Sequence, residues 1–176
     1  IPLVISEDGI AEKPLFYILG EDVMADGTAI TLQGANNITL DGQGYKITYG
    51  IDGNNRYGVY VNMANQTTVK NFRIEEGNSS GDSQYAVYFN NANNGTISNN
   101  TIINRGLNAI GIFSLTSDFI IIQNNNINVS SNGSLAGAGI KVNSVIAKLN
   151  SNIVTQNIIN TSGSYVSGIV IANTMD

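Results

Sequence analysis

Lys70, Arg73, Glu75 and Glu76 fall close together in the chain, and Arg105 follows about one repeat later. Such a mixed-charge cluster has the groups a polysaccharide lyase or epimerase needs. A cation neutralises the uronate carboxylate, and a base takes the C5 proton. The chain has no histidine, so that base would be Lys, Arg or Tyr. The bland counterpart is a surface salt-bridge patch of little energetic weight. A glycosidase would need two convergent carboxylates. Asp41, Asp52, Glu75, Glu76 and Asp82 are available, but no spacing forces a pair together.

A second set is aromatic. Tyr60 and Tyr88 are the middle residues of two successive Val-Tyr-Val/Phe triplets, and Tyr57 and Tyr85 repeat just before them. Such residues point outward and stack one coil apart, as a platform for apolar sugar faces or as cross-strand stabilisation. Read the same way, the row continues through Gly111, Lys141 and Val170, so the platform is short. A third set is the Asn-x-Ser/Thr triplets that begin at Asn37, Asn65, Asn78, Asn94, Asn99, Asn128, Asn132 and Asn160. Asn78 and Asn132 lie in expected loops and are the preferred glycosylation sites, with Asn65 and Asn94 next. Asn37 and Asn99 read as structural.

The elements that position these residues follow from a repeat. The triplets Ile30-Thr31-Leu32, Val59-Tyr60-Val61, Val87-Tyr88-Phe89, Ile110-Gly111-Ile112, Ile140-Lys141-Val142 and Ile169-Val170-Ile171 recur at spacings of 29, 28, 23, 30 and 29 residues. A second series contains Val69 to Ile74, Ile97 to Ile102, Ile122 to Ile127 and Val154 to Ile159. Each places an apolar residue on either side of a polar corner. Asn36 to Ile47 is the same unit with two extra residues. A period in the twenties predicts an all-β, right-handed parallel β-helix: a solenoid of about six coils with three short strands per coil. A β-sandwich would instead need hairpin turns between neighbouring strands.

The chain reads as one domain, 1–176. Residues 1–14 are expected to be an irregular, acidic cap, and residues 15–172 to form the coils. Leu15 to Leu19 is the expected first strand, Gly20 to Gly27 a corner loop. Glu75 to Ser83 and Asn128 to Gly137 are the expected polar excursions. The last triplet shows no cap after it, so the open coil is expected to continue in a longer protein or to pair with another chain. A chain starting at Ile1 without Met reads as processed or excised.

The 27 asparagines have a physical reason. Asn71, Asn99, Asn124 and Gln156 hold one corner position; Asn100, Asn125 and Asn157 hold the next. Stacked coils set equivalent amides about 4.8 Å apart, where they hydrogen-bond to one another. Asn also tolerates the left-handed backbone of a sharp corner. Asp41 belongs to such a corner.

Composition narrows the function classes. The net charge of −5 is concentrated in residues 1–26. There is no basic stripe, so no nucleic-acid partner is expected. No run of 18 apolar residues occurs, so no membrane span is expected. Without His or Cys, the usual Zn, Cu and Fe sites are removed, and neither metal nor cofactor is expected.

The pattern Tyr17-x-Leu19-x-x-Asp22-Val23, Thr28-Ala29-Ile30-Thr31-Leu32 and Asn37-Ile38-Thr39-Leu40-Asp41-Gly42-x-Gly44-x-x-Ile47 resembles the entry coil of right-handed parallel β-helix families of cell-surface and periplasmic proteins. These include archaeal surface proteins and the copper-related accessory proteins of nitrous oxide reductase. Residues 57–172 resemble the general repeat of the same families and of pectate-lyase-like and epimerase-like enzymes. The resemblance implies an extracellular or cell-surface protein and transfers no activity. The copper branch is weakened by the missing His and Cys and by scattered methionines, Met24, Met63 and Met175. The expected function is a non-catalytic surface module, structural, assembling or adhesive, that contacts glycans. The alternatives are a carbohydrate-active lyase or epimerase and a copper-handling accessory domain. The expected partners are other copies, through the coil ends, and polysaccharide.

Overall fold

Short runs of Ile, Val and Thr favour strands, and the Asn and Gly between them favour corners. The computed structural model of the chain describes residues 3–9, 13–77, 80–133, 137–144 and 152–173. The first coil holds β1 (Leu3–Ile5), β2 (Leu15–Ile18) and β3 (Val23–Met24). The second holds β4 (Ile30–Gln33), β5 (Ile38–Asp41) and β6 (Lys46–Tyr49). The third holds β7 (Tyr57–Asn62), β8 (Thr68–Lys70) and β9 (Arg73–Glu76). The fourth holds β10 (Tyr85–Asn90), β11 (Thr96–Ser98) and β12 (Thr101–Asn104). The fifth holds β13 (Ile110–Leu115), β14 (Ile121–Gln123) and β15 (Asn126–Ser131). The sixth holds β16 (Gly137–Ser144), β17 (Ile153–Thr155) and β18 (Ile158–Gly163), and β19 (Val166–Asn173) opens one further turn.

Each strand pairs in parallel with its counterpart one coil away. This gives one seven-stranded sheet that begins at β1 and two six-stranded sheets that begin at β2 and β3. The molecule is a right-handed parallel β-helix. The described residues include no helix long and apolar enough to cross a membrane.

Inward positions stack into apolar columns. Ile47, Ile74, Ile102 and Ile127 form one such column, and Leu40, Val69, Ile97 and Ile122 form another; all eight are essentially inaccessible to solvent. Each buried aliphatic side chain contributes roughly 1.5–3 kcal/mol, so the core is a sum of nearest-neighbour contacts between coils.

The corners bear out the amide reading. Asn71, Asn99, Asn124 and Gln156 all have positive φ, between 54° and 59°. The next position carries a ladder that runs inside the corner. Asn100 Nδ2 donates to Asn125 Oδ1 at 3.0 Å, and Asn125 Nδ2 donates to Asn157 Oδ1 at 2.9 Å. The ladder ends where Asn100 Oδ1 accepts the Phe72 amide. A second asparagine column, not expected from the sequence, follows the first sheet. The amides of Asn36, Asn65, Asn93 and Asp118 donate in turn to Asp8, Asn36, Asn65 and Asn93 side-chain oxygens.

Five expectations are corrected. Residues 1–14 are not wholly irregular: Leu3–Ile5 pairs with Ile30–Leu32 as the first strand of the first coil. Gly20 to Gly27 contains β3 and is more than a loop. The excursion from Asn128 is shorter, because β15 continues to Ser131; the other starts only after β9 ends at Glu76. The triplet Ile110-Gly111-Ile112 is out of register. Val87 pairs with Ile112 and Tyr88 pairs with Phe113, while Ile110 stands beside Tyr85.

Candidate functional site

The register explains how tyrosines three residues apart share one face. Strict alternation would put Tyr57 and Tyr60 on opposite sides. Between them, Gly58 and Val59 are both buried toward the core. Gly58 faces so tight a space that a Cβ there would sit 2.5 Å from Ile74 Cγ2. Two consecutive inward residues return the strand to the outer face at Tyr60. The same device places Tyr85 and Tyr88 outside, and then Ile110 and Phe113.

The result is a patch of five rings on the first sheet. Tyr57 stacks on Tyr85 with centroids 5.5 Å apart, and Tyr60 on Tyr88 at 5.1 Å. Tyr88 stacks in turn on Phe113 at 5.0 Å and an interplanar angle of 6°. The row thus continues through Phe113, not Gly111, and Lys141 Nζ lies 5.4 Å from the Phe113 centroid as a cation–π cap. Tyr88 and Phe113 are largely covered, at 9% and 8% exposure, while Tyr57, Tyr60 and Tyr85 are half-exposed. Burial raises the pKa of Tyr57, Tyr85 and Tyr88. Neighbouring tyrosines add to this at Tyr57 and Tyr88; at Tyr85 Asp82 adds to it and a Ser83 hydrogen bond opposes it. These three rings therefore stay neutral at physiological pH. Arg56, exposed beside Tyr57, sets a second positive charge at the other end of the patch.

The charged cluster divides. Lys70 turns to Asp41, with Nζ 3.3 Å from Oδ2, on the second sheet. Arg73 Nε donates to Glu75 Oε1 at 2.9 Å on the outer face of the third sheet, and Lys46 Nζ lies 4.0 Å from Glu75 Oε2. Glu76 is buried, and its Oε2 accepts the Arg105 backbone amide at 3.0 Å. The Arg105 residue is itself exposed. These five residues therefore do not converge on one point. Among the described residues, no group of three or more His, Cys, Asp or Glu side chains is placed to hold a metal.

Asp41 is the most strongly engaged carboxylate of the second sheet. Burial would raise its pKa, but hydrogen bonds from Asn71 Nδ2 and the Gln43 amide, together with Lys70, hold it below the usual value. A depressed carboxyl contributes stability that is fully present above its unfolded pKa and is lost as pH falls through the folded one. Asp41→Asn is therefore expected to be less stable than the parent near neutral pH. Chemical denaturation from about pH 7 downward should show the gap closing below the ordinary aspartate value of 3.8.

Of the sequon asparagines, Asn94, Asn99, Asn132 and Asn160 are exposed. Asn65 is half-buried, and its Oδ1 accepts the Asn93 amide. Asn78 and Met175 lie outside the described residues. Met24 and Met63 are exposed on different coils.

Sequence reasoning missed an inward polar set. From Ile47, Ile74 and Ile102, two residues further on is again inside, which puts Tyr49, Glu76 and Asn104 in the core. Gln84 is buried beside them. Alternation was the available signal. On the outer face of the third sheet, a groove of about 270 Å³ is lined by Arg105, Asn128, Ser130, Asn160 and Ser162 among others. Asn160 Nδ2 donates to Asn128 Oδ1 there at 3.0 Å.

Among known families, the model described as right handed beta helix region matches residues 20–175. No curated protein and no solved structure matches the chain. With three parallel sheets stacked coil on coil and a family match over nearly all its length, this chain belongs to the right-handed β-helix family.

Proposed function

We propose that this chain is a non-catalytic extracellular or cell-surface module that contacts glycans through the first sheet. The observation that carries the reading is the five-ring patch of Tyr57, Tyr60, Tyr85, Tyr88 and Phe113. Half-exposed Tyr57, Tyr60 and Tyr85 present ring faces on which the apolar face of a pyranose stacks. Buried Tyr88 stacks under Tyr60 and meets Tyr57 and Tyr85 edge-on, and Phe113 meets Tyr85 edge-on, which fixes the exposed rings in place. Arg56 and Lys141 flank the patch, which favours an acidic polysaccharide over a neutral one. Exposed Asn94 and Asn132 fit a glycosylated surface protein.

The competing reading, a lyase or epimerase, draws less support. Lys70 turns to Asp41 on the second sheet, Arg73 pairs with Glu75 on the outer face of the third, and Glu76 is buried inside, so no single site gathers them. The copper-handling reading draws less again from Met24 and Met63, which sit apart.

Isothermal titration against a panel of neutral and acidic polysaccharides tests the proposal. Tyr60→Ala is expected to weaken binding about tenfold, equivalent to the loss of one stacking contact, with unchanged circular dichroism. A panel on which the parent chain binds nothing, or binds equally well without Tyr60, would sink it.

A further inference from the structure

The groove on the outer face of the third sheet lies on a different sheet from the ring patch and has a different chemistry. Its side chains form two rows that climb from coil to coil. Ile103, Asn128 and Asn160 are register partners along one row. Ser130 and Ser162 are partners along the other. Arg105 stands at the head of that second row: Asn104 pairs with Val129, and Arg105 and Ser130 come next on the two chains. All six line one space of about 270 Å³. Ile103, Asn128 and Ser130 are half-buried, while Arg105, Asn160 and Ser162 are exposed.

Arg105 brings the one positive charge among these six. Its backbone amide is anchored by Glu76 Oε2 at 3.0 Å. Among the described residues, no ion pair or hydrogen bond engages its guanidinium. Glu75, the register partner of Ile103, is already engaged by Arg73 and Lys46. Asn160 Nδ2 donates to Asn128 Oδ1 at 3.0 Å. That bond leaves Asn128 Nδ2 and Asn160 Oδ1 available, one as donor and one as acceptor. The Ser130 and Ser162 hydroxyls can act as either.

We infer that this groove binds one hexuronate residue, with the carboxylate on Arg105 and the hydroxyls on the Asn and Ser rows. A guanidinium presents a planar fork that matches a carboxylate in two parallel bonds. One cation suits one negative charge; a phosphate dianion would lack its second. Sugar hydroxyls donate and accept, as do the amides and hydroxyls of the two rows. Half-buried Ile103 offers an apolar contact to the C–H face of the ring. The space of about 270 Å³ falls just under the roughly 300–1,000 Å³ of drug-sized sites, which fits a single sugar unit. An extended peptide is disfavoured, because the groove lies on a sheet face and offers no free strand edge to pair with.

Nitrogen-15 NMR titration of the whole chain tests this. Chain made without glycosylation is used, because Asn128 and Asn160 also begin sequons and a glycan there would fill the groove. The side-chain amide signals of Asn128 and Asn160 are expected to shift saturably with galacturonate. Galactose lacks the carboxylate and acetate lacks the ring, so each should bind at least about tenfold more weakly. Arg105→Gln should weaken galacturonate by about tenfold, and Arg105→Lys by less, since lysine keeps the charge and loses the fork. Tyr60→Ala should leave these shifts unchanged, which separates the groove from the ring patch. Trigalacturonate beside the monosaccharide tells a polymer unit from a free acid, and saturable shifts with either support the site. No saturable shift with either one overturns the inference. Equal binding of galactose or acetate overturns it too, as does full binding in Arg105→Gln.

Discussion

Asn125→Ala is expected to lower the unfolding free energy by about 3–5 kcal/mol, a large part of what a domain of this size has. The side chain sits at the centre of the corner ladder and is 1% exposed. Its Nδ2 donates to the Ile97 and Gln123 carbonyls, both at 3.0 Å, and to Asn157 Oδ1. Its Oδ1 accepts both the backbone amide and the side-chain amide of Asn100, each at 3.0 Å. Alanine removes all of these and strands the buried Asn100 backbone N–H, which no water reaches. The neighbouring Asn124 provides the control. It is exposed, and its main contribution is a backbone that tolerates φ 56°. Asn124→Ala should cost only about 1–2 kcal/mol, and Asn124→Gly less. Urea denaturation of the three variants separates the roles. Equal costs for Asn124→Ala and Asn125→Ala would mean that the ladder adds nothing beyond corner geometry.

The contrast between Asn124 and Asn125 also shows what the sequence could disclose. A corner column of amides was readable, since equivalent residues recur one coil apart and Asn favours left-handed backbone. The three-strand coil was readable for the same reason. What failed was reading by strict alternation and by proximity in the chain. Ile110 looked like a core residue because Ile110-Gly111-Ile112 imitates an inward-outward-inward triplet. In the fold Gly111 and Ile112 both face inward, so Ile110 joins the outer cluster and Phe113 extends the ring row. Lys70, Arg73, Glu75 and Glu76 looked like one cluster because few residues separate them. The corner between β8 and β9 sends Lys70 to a different sheet, and the strand period sends Glu76 inward. β1 escaped notice because three residues in an acidic segment give too little periodicity. Function was least legible because the outward positions are mostly amides and hydroxyls, which serve scaffold and site alike.

Gly111→Val is expected to destabilise the chain by at least about 3 kcal/mol, the cost of forcing side-chain atoms into a packed core. Gly111 belongs to a column of small inward residues that includes Gly58, Ala86 and Gly139. A Cβ at Gly111 would lie 2.6 Å from the Gly139 carbonyl oxygen and 2.6 Å from Ile127 Cγ2. The first is backbone and cannot rotate away, so the clash would push the fifth and sixth coils apart. That displacement would also tilt Phe113, two residues on, away from Tyr88, on which it stacks at 5.0 Å. Gly111→Val is thus predicted to lower both the melting temperature and any binding at the ring patch. Gly168, one turn further along the same column, has open space where its Cβ would stand. Gly168→Ala should be neutral, or stabilising by about 0.5–1 kcal/mol through the unfolded chain. Near-ultraviolet circular dichroism reports the tyrosine environment, and thermal melts report stability. If Gly111→Val melted with the parent and kept its tyrosine signal, the close approach of coils at Gly111 would not be what fixes the ring row.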